Sequence, residues 1–300
     1  METRVFKPTF IVGSQRSGTT MFRLMLNNHP EIAVPHETAF ITVFYRQLHK
    51  YGNLEEPQNI EKLLEDICQH PLVQRGTLIS SKEAVLQHQP RNYTELVEAI
   101  FTEYRMRFGK KYWCDKTPFY TENIDLLHQV IPDARFIHLV RDGRDVSLSQ
   151  KNISWLPSGI PTIAAQWKWK TMLCHKIGRV IGPDRFLEIK YEDLVLNTEA
   201  TLRTVCEFLG VEYSHEMLHY SDTANSVVPE ESIQWHKNSI KLPDASKVFA
   251  WRNRMSRSDR VIFEQIAGDA LEAFGYEREA LRPDLMSRAK KLYFAAFQRY

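Results

Sequence analysis

A glycine-rich segment near the amino terminus has the residue types of a phosphate-binding loop. It runs from Gly13 to Thr20 with the sequence GSQRSGTT. Its glycines let the backbone turn and direct successive N–H groups at an anion, and a helix that follows adds its amino-terminal partial positive charge. Loops that bind nucleoside triphosphates continue with lysine, but Thr19 stands at that position here. We therefore predict binding of a nucleotide 5′-phosphate that carries one more group, by Arg16, Ser17, Gly18, Thr19 and Thr20.

A second anion-binding segment is predicted from Val140 to Ser149, where the sequence is VRDGRDVSLS. The apolar run before Arg141 is typical of a strand covered on both faces. A guanidinium at the end of such a strand can pair bidentately with a phosphate, and Ser149 can return to it from the next helical turns.

The elements that must position these residues follow from short apolar runs that alternate with longer helical patterns. This alternation predicts βαβ units and an α/β fold with a parallel sheet. The predicted strands are Thr9–Gly13, Lys111–Cys114, Ala134–Val140 and Arg185–Lys190. The predicted helices are Ser17–Asn28, Glu37–Lys50, Thr94–Arg107, Glu122–Val130, Thr162–Val180, Glu199–Leu209, His215–His219 and Ser256–Phe274. Residues 222–250 are polar and irregular, which predicts a long loop.

The composition excludes several classes of protein. Basic and acidic residues number 39 and 37, so no bulk attraction to nucleic acid is expected. The four cysteines form no C-x-x-C pair, which favours buried free thiols in a reducing compartment. No apolar run approaches the ~18 residues of a membrane span, and no signal peptide precedes the first strand. We therefore expect a cytoplasmic protein without a transmembrane segment.

The carboxyl-terminal segment is predicted to stand apart from the main domain. We expect one α/β domain over residues 1–278 and a basic amphipathic helix over residues 279–300. Packing of this helix on its own domain is the default expectation, and a partner or membrane-surface role is the alternative. The sequence leaves the oligomeric state open, a homodimer included.

The loop from Gly13 to Thr20 resembles the 5′-phosphosulfate loop of sulfotransferases that use 3′-phosphoadenosine 5′-phosphosulfate (PAPS). The resemblance continues through Leu26–Pro30 and Glu37-Thr38, spans most of the chain to about Tyr276, and is closest to the tyrosylprotein sulfotransferase branch. It implies a P-loop nucleotide-binding fold, a three-layer sandwich with a central parallel sheet flanked by helices. It also implies transfer of a sulfuryl group from PAPS to an acceptor hydroxyl, with no metal.

The same resemblance assigns roles to individual residues. Glu37 matches the catalytic base, although a glutamate favoured by a helix amino terminus is the structural alternative. Lys116 matches the lysine that stabilises the transition state, Arg16 would share that work, and His36 is a second-choice base. The remaining matches concern the nucleotide: Arg141 and Ser149 at the 3′-phosphate, Tyr191 near the adenine, and Ser226 and Lys241 in a loop that closes over it.

Two departures from the tyrosylprotein branch leave the acceptor open. Ala39 stands where that branch has an arginine that holds acidic peptides, and Val34 stands where luminal members have a cysteine that bridges to the one at Cys114. The acceptor is therefore a protein tyrosine, a carbohydrate, a lipid or a small metabolite.

Three rival functions remain open at this stage. His215–His219 is a formal H-E-x-x-H motif, which on an α-helix could bind zinc in a hydrolase. A P-loop nucleotide kinase or NTPase is a second alternative, against which the missing lysine at Thr19 argues. A non-catalytic binding module is a third, against which Glu37 and Lys116 argue.

Overall fold

Five parallel strands form the centre of the protein in this computed structural model, among the residues it describes. These are residues 5–279, apart from 152, 154, 155, 157, 158 and 228–238, and beyond them 281–283, 285 and 289. The strands are β1 (Thr9–Val12), β2 (Ile32–Ala33), β3 (Tyr112–Lys116), β4 (Arg135–Val140) and β5 (Phe186–Lys190). Their order across the sheet is β2-β3-β1-β4-β5, and each neighbouring pair is parallel. The predicted α/β class is confirmed.

The helices connect these strands in the order that a parallel sheet requires. Before β3 come α1 (Thr19–Asn27), α2 (Phe40–Tyr45), α3 (Pro57–Cys68), α4 (Pro71–Arg75), α5 (Lys82–Leu86) and α6 (Tyr93–Arg107). Between β3 and β5 come α7 (Ile124–Val130), α8 (Gly143–Gln150) and α9 (Ile160–Ile181). After β5 come α10 (Tyr191–Leu196), α11 (Thr198–Leu209), α12 (Tyr220–Val227), α13 (Trp251–Arg254) and α14 (Arg257–Ala273).

Helices cover both faces of the sheet. Phe10 and Val12 of β1 pack into a buried cluster with α2 to α7, whereas Ile11 packs on the opposite face with α1, α10, α11 and α12. This alternation follows from the two-residue period of a strand. A third cluster joins Val140 at the end of β4 to α8, α9, α13 and α14. The three-layer sandwich is therefore confirmed.

The register of the strands brings the predicted site residues to one edge of the sheet. Ile11 of β1 lies beside Lys116 of β3 and Ile137 of β4, and Val140 lies beside Lys190 of β5. The phosphate loop, Arg141 and Tyr191 come directly after β1, β4 and β5, so all of them follow carboxyl ends of parallel strands. That edge is where open α/β sheets place their ligand sites.

Several predicted elements differ from the structure. The helix predicted over Glu37–Lys50 ends at Tyr45, and it begins only at Phe40 because Ala39 has a left-handed φ of 54° that a right-handed helix does not accommodate. β2 escaped prediction because two residues give no alternation to detect. Helix α12 occupies the start of the predicted loop 222–250.

Helix α3 could have been found from the sequence. It begins with Pro57 at its first turn and buries Ile60, Leu63, Leu64 and Ile67 at helical spacing.

Three further expectations concern the carboxyl terminus, membrane spans and the cysteines. Most of the predicted helix over residues 279–300 lies outside the described residues, so the division at residue 278 stays a prediction. Within the described residues, none of the helices has both the length and the apolar character to cross a membrane. All four cysteines are free thiols, and three of them are buried.

Close packing of α9 against β5 predicts a destabilising substitution. A Cβ added at Gly178 would lie 2.3 Å from the Phe186 ring. We expect Gly178→Ala to lower the free energy of unfolding by about 1–2 kcal/mol, since overpacking outweighs the gain in helix propensity. Urea denaturation would measure the change. Val180→Ala on the same helix, at a side chain that is 88% exposed, is the control and should change stability by less than ~0.5 kcal/mol. Unchanged stability of Gly178→Ala would contradict this account.

Candidate active site

The phosphate loop spans the turn between the end of β1 at Val12 and the start of α1 at Thr19. Gly13 lies so close to β4 that a Cβ there would be 2.5 Å from the Leu139 carbonyl oxygen. Gly18 has a φ of 92°, and a Cβ on it would be 2.4 Å from the Tyr191 ring. Both positions therefore require glycine for reasons of space, and Gly18 also for its backbone conformation.

The loop presents a hydrogen-bond donor that the described residues do not satisfy. Ser17 is fully buried, and its Oγ has no hydrogen-bond partner in the described part of the chain. A buried hydroxyl without a partner is uncommon and calls for a specific explanation. Arg16 beside it has a left-handed φ of 69°, a strained conformation of the kind that clusters at ligand sites. Both observations fit a loop shaped to receive an anion.

Two guanidinium groups lie together at the open edge of the sheet. Arg141 donates to the backbone carbonyl of Arg16 at 3.1 Å, and Arg16 Nε donates to Ser149 Oγ at 3.1 Å. Burial and the nearby charge of Arg141 lower the pKa of Arg16. An anion bound between the two groups would relieve this repulsion. The structure thus brings together Arg16, Arg141 and Ser149, three residues predicted to bind phosphate groups, although Ser149 contacts Arg16 rather than Arg141.

Tyr191 forms the base of this cluster. The Arg141 guanidinium lies 4.3 Å from the centroid of the Tyr191 ring, in a cation–π arrangement. The Cδ2–Cε2 edge of the same ring packs against Gly18. Burial raises the pKa of the Tyr191 hydroxyl. The ring thus supports both the phosphate loop and Arg141, a structural role that the sequence did not suggest.

Glu37 and Lys116 form an ion pair next to the loop. Lys116 Nζ lies 2.6 Å from Glu37 Oε1 and 3.4 Å from Thr20 Oγ1. The Lys116 side chain is 2% exposed and that of Glu37 is 25% exposed. Burial lowers the pKa of Lys116, and the Glu37 carboxylate opposes that shift. Because Glu37 precedes α2 rather than forming its first turn, the helix-dipole explanation of this residue is wrong.

A buried network that sequence reasoning missed holds Glu37 in place. Thr38 Oγ1 donates to Asp115 Oδ2 at 2.6 Å, and the Thr38 backbone N–H donates to Thr117 Oγ1 at 2.9 Å. Asp115 is fully buried, and burial raises its pKa to about 7. The DKT sequence at 115–117 was a signal, since polar residues at the end of a buried strand need partners.

The remaining predicted site residues are His36, Lys241 and Ser226. His36 is buried beside Glu37 in the chain. Lys241 is exposed, and its backbone carbonyl accepts a hydrogen bond from the Tyr220 hydroxyl. Ser226 belongs to α12, but its side chain lies outside the described residues. Ala39 and Val34, which mark departures from the tyrosylprotein branch, are both buried.

The H-E-x-x-H segment does not have the geometry of a zinc helix. His215–His219 forms a 3₁₀ helix rather than an α-helix. The rings of His215 and His219 lie 5.4 Å apart between centroids, with no third ligand placed beside them among the described residues. The described residues contain no group of three or more His, Cys, Asp or Glu side chains placed to hold a metal ion.

The parallel sheet and the glycine-rich loop after β1 define an α/β protein of the P-loop type. Residues 8–215 match the sulfotransferase family, and the chain belongs to that family.

The curated relatives have more specific names. The chain is 27% identical over 222 residues to protein-tyrosine sulfotransferase 2 of Gallus gallus, covering 71% of this chain and 53% of that protein. It is 24% identical over 289 residues to the protein-tyrosine sulfotransferase of Drosophila melanogaster, covering 92% of this chain and 52% of that protein. The chain therefore spans about half the length of these relatives.

Solved structures support the fold. The sulfotransferase domain of the Synechococcus PCC 7002 olefin synthase superposes with a TM-score of 0.61 at 24% identity, covering 92% of this chain and 98% of that domain. The sulfotransferase domain of the curacin biosynthetic pathway gives a TM-score of 0.59 at 19% identity, with 92% and 99% coverage.

Burial of Asp115 predicts a pH-dependent stability. Its pKa of about 7 exceeds the ordinary value, so the native state binds more protons than the unfolded state between about pH 4 and 7, and stability falls as pH rises through this window. Asp115→Asn stays uncharged and keeps an acceptor for Thr38. We expect its stability relative to wild type to rise between about pH 5 and 8, by on the order of 1–3 kcal/mol.

Chemical denaturation at several pH values would measure this difference. Asp133→Asn is the control, because the Asp133 carboxylate is exposed and Lys7 lowers its pKa, so its effect should not vary over this range. A constant difference between wild type and Asp115→Asn would contradict the expectation.

Proposed function

We propose that this protein transfers a sulfuryl group from PAPS to an acceptor hydroxyl. The observation that carries the proposal is the contact of Lys116 with both Glu37 and Thr20, which places a cation and a carboxylate directly beside the phosphate loop. Membership of the sulfotransferase family supports this choice over a kinase or NTPase.

The residues fit a donor with phosphate groups at two positions. The unsatisfied Ser17 Oγ and the two tight glycines suit the 5′-phosphosulfate end, with Thr19 and Thr20 at the start of α1. Arg141, with its buried Nε lacking a hydrogen-bond partner in the described part of the chain, suits the 3′-phosphate. Ser149, which accepts a hydrogen bond from Arg16, would complete that second position, and Tyr191, predicted near the adenine, would support Arg141 from below. Ser226 and Lys241 are retained as contacts of the closing segment.

The proposed reaction needs a base for the acceptor hydroxyl and cations beside the transferred group. The acceptor oxygen forms a new bond to sulfur, the bond from sulfur to the bridging phosphate oxygen breaks, and 3′-phosphoadenosine 5′-phosphate (PAP) leaves. Glu37 takes the acceptor proton. Lys116 and Arg16 stabilise the charge that builds on the departing oxygen and the sulfuryl group. His36 is the second-choice base.

Fewer observations bear on the class of acceptor than on the sulfuryl donor. The relatives named protein-tyrosine sulfotransferases make a tyrosine peptide the first candidate. The buried Ala39, in place of a cation, favours testing carbohydrate, lipid and small-metabolite hydroxyls alongside it. A screen with labelled PAPS over these four classes would decide, and gel filtration would test the proposed homodimer.

Donor binding predicts a thermal shift. PAP at about one hundred times its Kd should stabilise the native state by about 2.7 kcal/mol, or roughly 5–10 °C in Tm. Arg141→Ala should abolish most of this shift, since it removes a charge-assisted phosphate contact. The control is Arg185→Ala at the opposite edge of the sheet, where the Arg185 guanidinium donates to the Pro132 carbonyl. Scanning calorimetry with and without PAP would measure both. No shift in the wild type would refute the donor assignment.

Removal of the base predicts loss of transfer without loss of donor binding. Glu37→Gln should lower the transfer rate by about 10²–10⁴-fold, because no group then takes the acceptor proton. Its PAP-induced shift should match that of the wild type. The matched control is Glu31→Gln, since Glu31 forms an ion pair with Lys111 at the other end of β3. Transfer from labelled PAPS to the acceptor found in the screen is the readout, and a rate within tenfold of wild type would exclude Glu37 as the base.

A further inference from the structure

A short segment of the chain lies across Arg141 and is held from below. We call residues 247–251 the strap. Arg141 Nη2 donates to the Lys247 carbonyl at 3.0 Å, while its Nη1 donates to the Arg16 carbonyl. The guanidinium is thus fixed between the phosphate loop and the strap. Any loosening of the strap would release one side of Arg141.

The strap contains a strained residue at its centre. Phe249 has a left-handed φ of 53°, which is unfavourable for a bulky aromatic residue. Such a conformation persists only where the surrounding structure imposes it. Asp145 on the first turn of α8 supplies that constraint, because its Oδ1 accepts from the Trp251 N–H at 2.8 Å and its carboxyl also accepts from the backbone of Phe249.

Asp145 is buried and only partly satisfied. Its Oδ2 is buried and has no hydrogen-bond partner within the described residues. The charged and titratable groups that interact with it are Arg141 and Asp142 on its own segment and Tyr191 from α10. Arg144 precedes it in the chain and pairs with Glu264 from α14, and Lys247 belongs to the strap. Of the two arginines, Arg144 is committed to Asp142 and Glu264. Arg141 is therefore the cation whose charge Asp145 depends on.

We propose that Asp145 is a positioning residue of the donor site, which fixes the strap over Arg141 and takes up a proton when a phosphate binds there. This inference rests on the proposed function. It goes beyond it by adding a residue that touches neither donor nor acceptor and by coupling donor binding to proton uptake.

The coupling arises because the Asp145 carboxylate and a bound phosphate would both interact with the positive charge of Arg141. Burial raises the pKa of Asp145 to about 6, and the Arg141 charge opposes that rise. A bound phosphate neutralises Arg141 and brings its own negative charge close, so the pKa of Asp145 rises further. The carboxyl then takes up a proton near pH 6 to 7. Affinity for PAP should accordingly fall as pH rises through this range, by the share that Asp145 contributes.

Calorimetric titration of PAP into the full chain tests this coupling. Titrations at about pH 6.5 in two buffers of different ionisation enthalpy give the number of protons taken up. Wild type should take up roughly half a proton more than Asp145→Asn, as expected if the pKa rises by about one on binding. Titration of the phosphate itself, whose second pKa is near 6, occurs with both proteins and cancels in the difference.

A second variant separates positioning from titration. Asp145→Asn keeps an oxygen acceptor for Trp251 and carries no charge, so near pH 7 it should bind PAP about fivefold more tightly than wild type, as follows from a pKa that rises by about one on binding. Asp145→Ala also removes the acceptor and should bind PAP about tenfold more weakly than Asp145→Asn, the equivalent of one buried hydrogen bond. Asp125→Asn, at an exposed carboxylate on the first turn of α7, is the control and should match wild type in both measurements.

Two outcomes would overturn the inference alone. Equal proton uptake by wild type and Asp145→Asn would refute the coupling, and equal PAP affinity of Asp145→Ala and Asp145→Asn would refute the positioning role. Absence of PAP binding by the wild type would overturn the donor site itself, and this inference with it.

Discussion

The ion pair between the buried ammonium group of Lys116 and the Glu37 carboxylate is the interaction on which the candidate active site depends. A lysine in a desolvated position tends to lose its proton, and an uncharged amine would give no stabilisation to a departing phosphate oxygen. Glu37 opposes that loss from 2.6 Å away. For this pair to form, the segment before α2 must pack against the end of β3. The buried bonds from Thr38 to Asp115 and Thr117 hold that segment where the pair needs it.

A second electrostatic constraint acts on Arg16 and Arg141. The two guanidinium groups repel each other, and backbone carbonyls, the Tyr191 ring and the strained strap hold them close together. Such an arrangement is unfavourable for the protein alone. The proposed donor would supply the opposing negative charge, which would give the strain at Arg16 and Phe249 and the unsatisfied Ser17 hydroxyl a common explanation.

Much of this edge could be predicted because its positions follow from local rules. The glycine at position 18 indicates a left-handed turn, and Arg141 follows an apolar run that indicates a buried strand. The failures lie where distant segments decide the outcome. Nothing near Ala39 in the sequence indicates a left-handed residue, so α2 was started too early. The partnership of Asp145 with Trp251 joins positions 106 residues apart, and no periodic pattern reports such a contact. Lys116 as the last residue of β3, rather than beyond it, depended on pairing with Ile11.

The geometry also explains why the sequence indicates the proposed donor more clearly than the acceptor. Lys116 is almost fully enclosed, whereas a quarter of the Glu37 side chain remains exposed. The proposed donor would have to fit a cradle whose glycines are fixed by close packing, and such a cradle leaves a strong pattern in the sequence. In the proposed reaction an acceptor would reach Glu37 from its exposed side, where the one requirement common to all acceptors is a hydroxyl within reach of a carboxylate. That requirement imposes no residue pattern around the opening, so the sequence indicates the donor and leaves the acceptor open.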